Sequence, residues 1–206
     1  CLAWHQAEGP EDQAVFGIVQ GGVHEDLRRQ SAERVSSAAI DGVAIGGTLG
    51  REKEEMLGVL GFTVPQLPAE APLHLLGIGE VDDLLAGIAL GIDLFDCAVP
   101  TRLARHGVAL APVPEGRFRI DLAKARYAED DTPIAAGCPC DACRRHSRAY
   151  LHYLAQSKEL TGARLLTLHN LTYMERLTER ARKAIEAGDY PSYSDTVLGG
   201  AAPWSV

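Results

Sequence analysis

The chain is 206 residues long, 46% hydrophobic and 23% charged, with a formal net charge of -8 at neutral pH. That suffices for one sizeable core or two small ones, and no stretch approaches the ~18 uninterrupted apolar residues of a membrane-spanning helix. The acidic balance argues against a generic nucleic-acid binder, but it is uneven: residues 1–100 hold 5 Lys/Arg against 16 Asp/Glu, whereas residues 101–206 are net basic, so a polyanion site is expected in the second half. Residues 1–8 form neither a Met start nor a basic-then-apolar leader, which reads as a fragment or a processed product.

The first hundred residues alternate short apolar runs with helical patterns. Ala14–Val19 reads as a strand ending in Gln20-Gly21-Gly22, and His24–Ala39 as an amphipathic helix, with Glu25, Leu27, Arg28, Ala32 and Val35 at helical spacing. Val43–Ile45 is a second strand, ending in Gly46-Gly47, and Glu52–Leu60 a second helix. Leu73–Leu76 is a third strand, Val81–Leu90 a third helix with Asp82 and Asp83 in its first turn, and Ile92–Ala98 a fourth strand ended by Pro100. This rhythm predicts an α/β protein with a parallel sheet, and polar or glycine-rich residues follow each strand where such sheets place their chemistry. About four β/α units are visible, which makes either a small open sheet or half of a closed barrel.

Past Pro100 the pattern changes. Residues 107–127 predict a β-hairpin turning at Pro114-Glu115-Gly116. Helices are expected from about Arg144 to Leu160 and from about Leu171 to Ala187, and the Gly-, Pro- and Ser-rich tail from Gly188 to Val206 is expected to pack poorly. Between hairpin and helices lie Cys138, Cys140 and Cys143, three of five cysteines. Thiols so dense point to a metal site in a reducing compartment rather than to a disulfide framework. With His169 as fourth ligand they make the closed Cys3His set of a structural zinc ion (Zn2+), with no open position for chemistry. By spacing alone His146 and His152 compete with His169. Asn170 is placed as the N-cap of the following helix.

Asp96 closes the fourth strand in Gly91-Ile-Asp-Leu-Phe-Asp-Cys97. A carboxylate there serves as nucleophile, base or sugar-binding acceptor, or simply caps a loop. Asp93 is offset by an odd number of residues and should face elsewhere. Thr101-Arg-Leu-Ala-Arg105 follows, two arginines suited to phosphate or base-edge contacts or to a solvated face. Gln20 offers an amide, and the glycine pairs admit a flat ligand.

These stretches together resemble the tRNA-guanine transglycosylase, or queuine tRNA-ribosyltransferase, family. The resemblance rests on Phe16–Gly22, Asp41–Gly47, Leu76–Gly79, Gly91–Arg105 and the Cys138/Cys140/Cys143/His169 set, and runs from about Phe16 to Gly188. It implies the C-terminal half of a (β/α)8 TIM barrel: β/α units over residues 1–106, a hairpin and zinc subdomain over 107–170, and a closing helix with a flexible tail over 171–206. It implies exchange of the wobble guanine in a UGU-type anticodon loop of tRNA for a 7-deazaguanine, such as 7-aminomethyl-7-deazaguanine, in queuosine biosynthesis. Asp96 takes the nucleophile's position, and Gln20, Gly47 and Leu76 take base-recognition positions; Leu76 stands where many bacterial members carry Met. Gly77, Ile78, Gly79, Glu80, Val81, Asp82 and Asp83, with Thr101, Arg102, Leu103, Ala104 and Arg105, fall on RNA-contact segments. The family's general acid/base aspartate belongs to the N-terminal half, upstream of Cys1. A cytoplasmic homodimer, not attached to a membrane, is the expected form. The alternative reading is a non-catalytic tRNA-binding or partner subunit, or an inactive fragment, of the same fold.

Overall fold

A computed structural model describes residues 2–50 and 52–206, so Cys1 and Arg51 lie outside the described residues. The chain divides into two compact units, one formed by residues up to Gly79 with Ala86–Cys97, the other by Glu80–Leu85 with Ala98–Val206.

The first unit carries α1 (Leu2–Glu8), β1 (Phe16–Val19), α2 (Glu25–Ser36), β2 (Gly42–Ile45), α3 (Lys53–Thr63), β3 (Leu73–Leu76) and β4 (Leu94–Asp96). The expected rhythm holds, and the strands form one parallel sheet in the order β1-β2-β3-β4. Its register aligns Ile18 with Ala44, Ala44 with His74 and His74 with Leu94. Side chains alternate between faces along each strand. Val19, Val43, Ile45, Leu73 and Leu75 lie on one face and form a buried core with Ala32, Met56, Val59 and Leu60 of the helices. The opposite face carries Phe16, Ile18, His74 and Leu94, and there Ile18 and Leu94 remain 48% and 45% exposed. Gly42 sits beneath the Phe16 ring, where a Cβ would lie 2.4 Å from a ring carbon, so only glycine fits.

Helix α4 (Val81–Ala89) contributes residues to both units. The second unit continues with α5 (Val99–Arg105), β5 (Val108–Leu110), β6 (Arg119–Asp121), α6 (Asp141–Arg145), α7 (Arg148–Gln156), α8 (Leu160–Glu186) and α9 (Tyr190–Leu198). The expected hairpin is the antiparallel pair β5–β6, with Ala109 opposite Ile120.

Four expectations need correction. Pro100 does not merely end the fourth strand but sits in the first turn of α5, where a missing N–H costs nothing. The helix expected over Arg144–Leu160 is split by the extended backbone of His146, and Ser147 caps α7 by accepting the Tyr150 N–H at 3.2 Å. Helix α8 begins at Leu160, so Asn170 is not an N-cap but a buried residue in its middle. Its Nδ2 donates to Pro100 O at 2.9 Å and Val108 O at 3.2 Å, and its Oδ1 accepts from Leu110 N at 2.8 Å. Finally, the tail is packed. Tyr193 and Val197 of α9 are buried one helical turn apart, and Tyr193 donates to Leu177 O at 3.0 Å. Trp204 packs edge-on against Tyr173 and donates to Ala136 O at 3.0 Å.

Candidate active site and metal centre

The C-terminal edge of the parallel sheet gathers most of the residues singled out in the first half of the sequence. Leu76 stands opposite Asp96 in the β3–β4 register. Continuing the β1–β2 and β2–β3 registers by one residue brings Gln20 beside Gly46 and Gly46 beside Leu76, so Gln20, Gly46, Leu76 and Asp96 form one transverse row. Side-chain positions agree: a Cβ at Gly46 would lie 2.9 Å from Gln20 Nε2 and 3.2 Å from Leu76 Cδ1, and one at Gly47 would lie 2.5 Å from Gln20 Oε1. Gly47 also has φ of 76°, a left-handed conformation that glycine alone adopts without strain. The result is a floor of backbone bounded by an amide, an apolar side chain and a carboxylate, with Gln20, Gly47 and Asp96 all exposed.

Two groups face one oxygen of Asp96. Its Oδ1 lies 3.0 Å from His74 Nε2 and accepts from Gly77 N at 3.3 Å. Asp93, as expected, is engaged elsewhere and accepts from Leu73 N at 2.8 Å. The backbone N–H of Gln20 donates to Ser31 Oγ of α2 at 3.0 Å, which fixes the start of the first glycine loop.

Sequence reasoning missed Arg28, a residue on α2 that reads as part of a polar helix face. It is fully buried. Its Nε donates to Gly22 O at 2.8 Å, Nη2 to Thr48 O at 3.1 Å and Nη1 to Val19 O at 3.4 Å. One guanidinium thus ties the loop after β1, which carries Gln20, to the loop after β2, which carries Gly47. Burial lowers its pKa from the usual arginine value, yet a guanidinium stays charged in proteins and keeps its five donors. His74 was also missed, since a lone histidine within an apolar strand gives no signal of its partner.

The RNA-contact segments divide by burial. Gly77 is exposed, Ile78 packs on the first core, and Gly79 and Val81 are buried. Glu80 pairs with Arg119, and Asp82 and Asp83 occupy the first turn of α4. In α5, Arg102 and Arg105 are exposed, Thr101 donates to Ala98 O at 3.2 Å, Leu103 is half-buried and Ala104 is core. A cavity of about 570 Å³ in the same unit is lined by Leu103, Val108, Gly116, Arg119, Asp121, Lys124 and Arg126, three of them cationic.

Cys138, Cys140, Cys143 and His169 converge as the spacing anticipated, with their four ligand atoms within 4.8 Å of one another. His169 Nδ1 is 3.6, 3.4 and 3.3 Å from the three sulfurs. A tetrahedral ion with sulfur at ~2.3 Å and nitrogen at ~2.0 Å sets such edges at about 3.5 Å, so the donor set fits. His169 Nε2 donates to Leu110 O at 2.7 Å, which leaves Nδ1 as the lone-pair donor. Neither competitor joins the group: the converging set is the three cysteines and His169, while His152 Nδ1 bonds Leu122 O at 2.8 Å and His146 stacks on Tyr150. Without a cation the cluster is electrostatically divided. Bonds from Cys138 and Cys143, reinforced by the Cys143 N–H, push the Cys140 thiol down, while bonds to Cys140 and Cys143 push the buried Cys138 thiol up. Burial works against a charged His169, but its bonds to Cys140 and Cys143 outweigh this and raise it to about 9. One thiolate is thus favoured and a second opposed, a conflict that a divalent ion would relieve.

A parallel α/β sheet with a carboxylate and an amide at its C-terminal edge, together with a Cys3His cluster able to hold a metal ion, defines the class of the protein. The family model described as queuine tRNA-ribosyltransferase matches residues 1–201, and the chain belongs to that family. A curated queuine tRNA-ribosyltransferase of Roseiflexus sp. is 48% identical over 97% of this chain and 52% of its own length. That of Herpetosiphon aurantiacus is 48% identical over 96% and 49%, and that of Deinococcus radiodurans 45% identical over 98% and 48%. The chain thus spans about half the length of these relatives. Among the described residues, no helix is long and apolar enough to cross a membrane.

Proposed function

We propose that the intact protein is a tRNA-guanine transglycosylase that replaces the wobble guanine of a UGU-type anticodon loop with 7-aminomethyl-7-deazaguanine. The observation that carries the reading is the single row Gln20, Gly46, Leu76 and Asp96, which sets a base-edge reader and an apolar wall beside a carboxylate. An extruded guanine lies flat on the Gly46–Gly47 floor, its edge read by the Gln20 amide. Asp96 donates a lone pair to the ribose C1′, forming a C1′–O bond as the C1′–N9 bond breaks. The leaving guanine keeps that electron pair and takes a proton from a carboxylic acid that the resemblance puts outside this chain. The incoming 7-deazaguanine then loses its N9 proton to that group and attacks C1′, releasing the Asp96 carboxylate. Two displacements at one carbon retain configuration.

The same reading completes the fold. Parallel sheets are ordinarily covered on both faces, and the exposed Ile18–Leu94 face suits the interior of a (β/α)8 barrel to which residues 1–106 contribute four strands. Residues 107–170 form the metal-bearing insertion, and α8 runs across its far boundary into the C-terminal helices. The Cys3His cluster is assigned to one structural zinc ion, which supplies folding free energy and no chemistry. A cytoplasmic homodimer is the proposed working form.

The test is exchange of labelled guanine into tRNA by the intact protein. Asp96→Ala should abolish both exchange and the covalent tRNA adduct seen on a denaturing gel. Exchange that survives the substitution removes Asp96 as nucleophile, and tight tRNA binding without any exchange by the wild type returns the protein to a non-catalytic role.

A further inference from the structure

His74 lies one position down the sheet from the row that holds Asp96. It pairs with Leu94, two residues before Asp96, so the two side chains are diagonal neighbours on one face. Its Nε2 is 3.0 Å from Asp96 Oδ1, and the Gly77 N–H donates to the same oxygen at 3.3 Å. On its other side the imidazole stands edge-on to Phe16, with ring centroids 6.5 Å apart. Phe16 is in turn seated on Gly42. The ring is therefore steered from one strand toward a carboxylate on another. Both contacts fall on Oδ1, which leaves Oδ2 without either.

We propose that His74 is a positioning residue that fixes which oxygen of Asp96 attacks and eases the later departure of the carboxylate. This rests on the transglycosylase reading above. With Oδ1 engaged, Oδ2 gives its lone pair to C1′ as the bond to guanine breaks, and Oδ1 becomes the carbonyl oxygen of the resulting ester. In the second displacement the C1′–Oδ2 bond breaks, its electron pair returns to the carboxylate, and the negative charge again spreads to Oδ1. A hydrogen bond to a charged group is stronger than one to a neutral group. The His74 N–H therefore stabilises the free carboxylate more than the ester. Its loss slows the step that releases Asp96 and favours the covalent adduct at equilibrium.

The test uses the intact protein with tRNA and labelled base. His74→Phe should lower kcat about 10- to 100-fold, corresponding to the ~1.5–3 kcal/mol of a charge-assisted hydrogen bond. KM should change less than about threefold. The fraction of enzyme trapped as covalent adduct should rise although turnover falls, whereas a merely damaged fold would lower both. His74→Gln, whose amide N–H can reach the same oxygen, should recover most of kcat and restore the adduct to its wild-type level. Turnover within about threefold of wild type in His74→Phe, or adduct and turnover falling together in a variant with native metal content, overturns the proposal. A wild type that forms no adduct at all overturns the transglycosylase reading instead.

Discussion

At the Cys3His cluster, the histidine is fully buried and its distal nitrogen is bound to a carbonyl. At the C-terminal edge of the sheet, Asp96, Gln20 and Gly47 stay exposed, and the side chain of Asp96 is 60% accessible. The first site is closed by its own four ligands, so adding one cation completes it. The second is a floor with walls on some sides, open to solvent. Both are held by groups that reach backbone carbonyls across the sequence, His169 and Asn170 in one unit and Arg28 in the other. Rigidity at a site thus comes from satisfying its ligands or from bracing the loops around it, and only the second leaves the site open.

The largest effect is expected at the Cys3His cluster. A structural ion contributes ~10 kcal/mol or more in small metal domains, so chelation or Cys140→Ser should unfold the second unit and lower its melting temperature by more than about 10 °C. Differential scanning calorimetry with metal analysis reads this; a melt unchanged by chelation would mean the four side chains hold nothing. At the sheet edge, Arg28→Met removes the guanidinium donors to the carbonyls of Gly22 and Thr48, while Val19 O keeps the Gly46 N–H at 3.0 Å. The expected loss is about 2–4 kcal/mol in urea denaturation, with metal content unchanged. Arg28→Lys should recover only part of it, because an ammonium lacks the planar fork.

The smallest effect concerns a half-buried pair in the second unit. Asp130 accepts from the Thr132 hydroxyl at 2.5 Å and the Thr132 N–H at 3.0 Å, and pairs with Arg148 at 3.0 Å. The Thr132 hydroxyl, with help from the Thr132 N–H and Arg148, lowers its pKa from the ordinary aspartate value. A depressed carboxylate contributes stability that is fully present above the unfolded-state pKa, near 4, and disappears as pH falls through the lower folded value. Asp130→Asn should therefore cost up to about 1 kcal/mol at pH 6, and the gap from wild type should close below about pH 4. A gap that persists into acid would assign the effect to geometry rather than to charge.

The sheet was legible because its strands are short apolar runs punctuated by glycine, and the three cysteines of the cluster because three thiols in six residues have few other uses; their histidine was not singled out by spacing. Asp96 and Gln20 were legible as positions at strand ends, though their common row needed the register. What escaped was long-range. Arg28 at helical spacing looks like a solvated charge until three carbonyls are found around it. Asn170 looks like a helix boundary because a polar His-Asn pair interrupts an apolar run, yet its partners lie 60 to 70 residues earlier. The tail looked loose from its glycines and serines, and Tyr193 and Val197, one turn apart, were the signal passed over.

The reach of Asn170 also sets an order in time. Leu110 offers its N–H to Asn170 and its carbonyl to His169, so one residue of β5 depends at both ends on side chains made some sixty residues later. At ~5–20 residues per second on the ribosome, that interval is several seconds. Until then the hairpin strand has two unmatched polar groups, and the three cysteines, already emerged, lack their imidazole. The four-ligand set is thus completed only when His169 of α8 is made, late in synthesis.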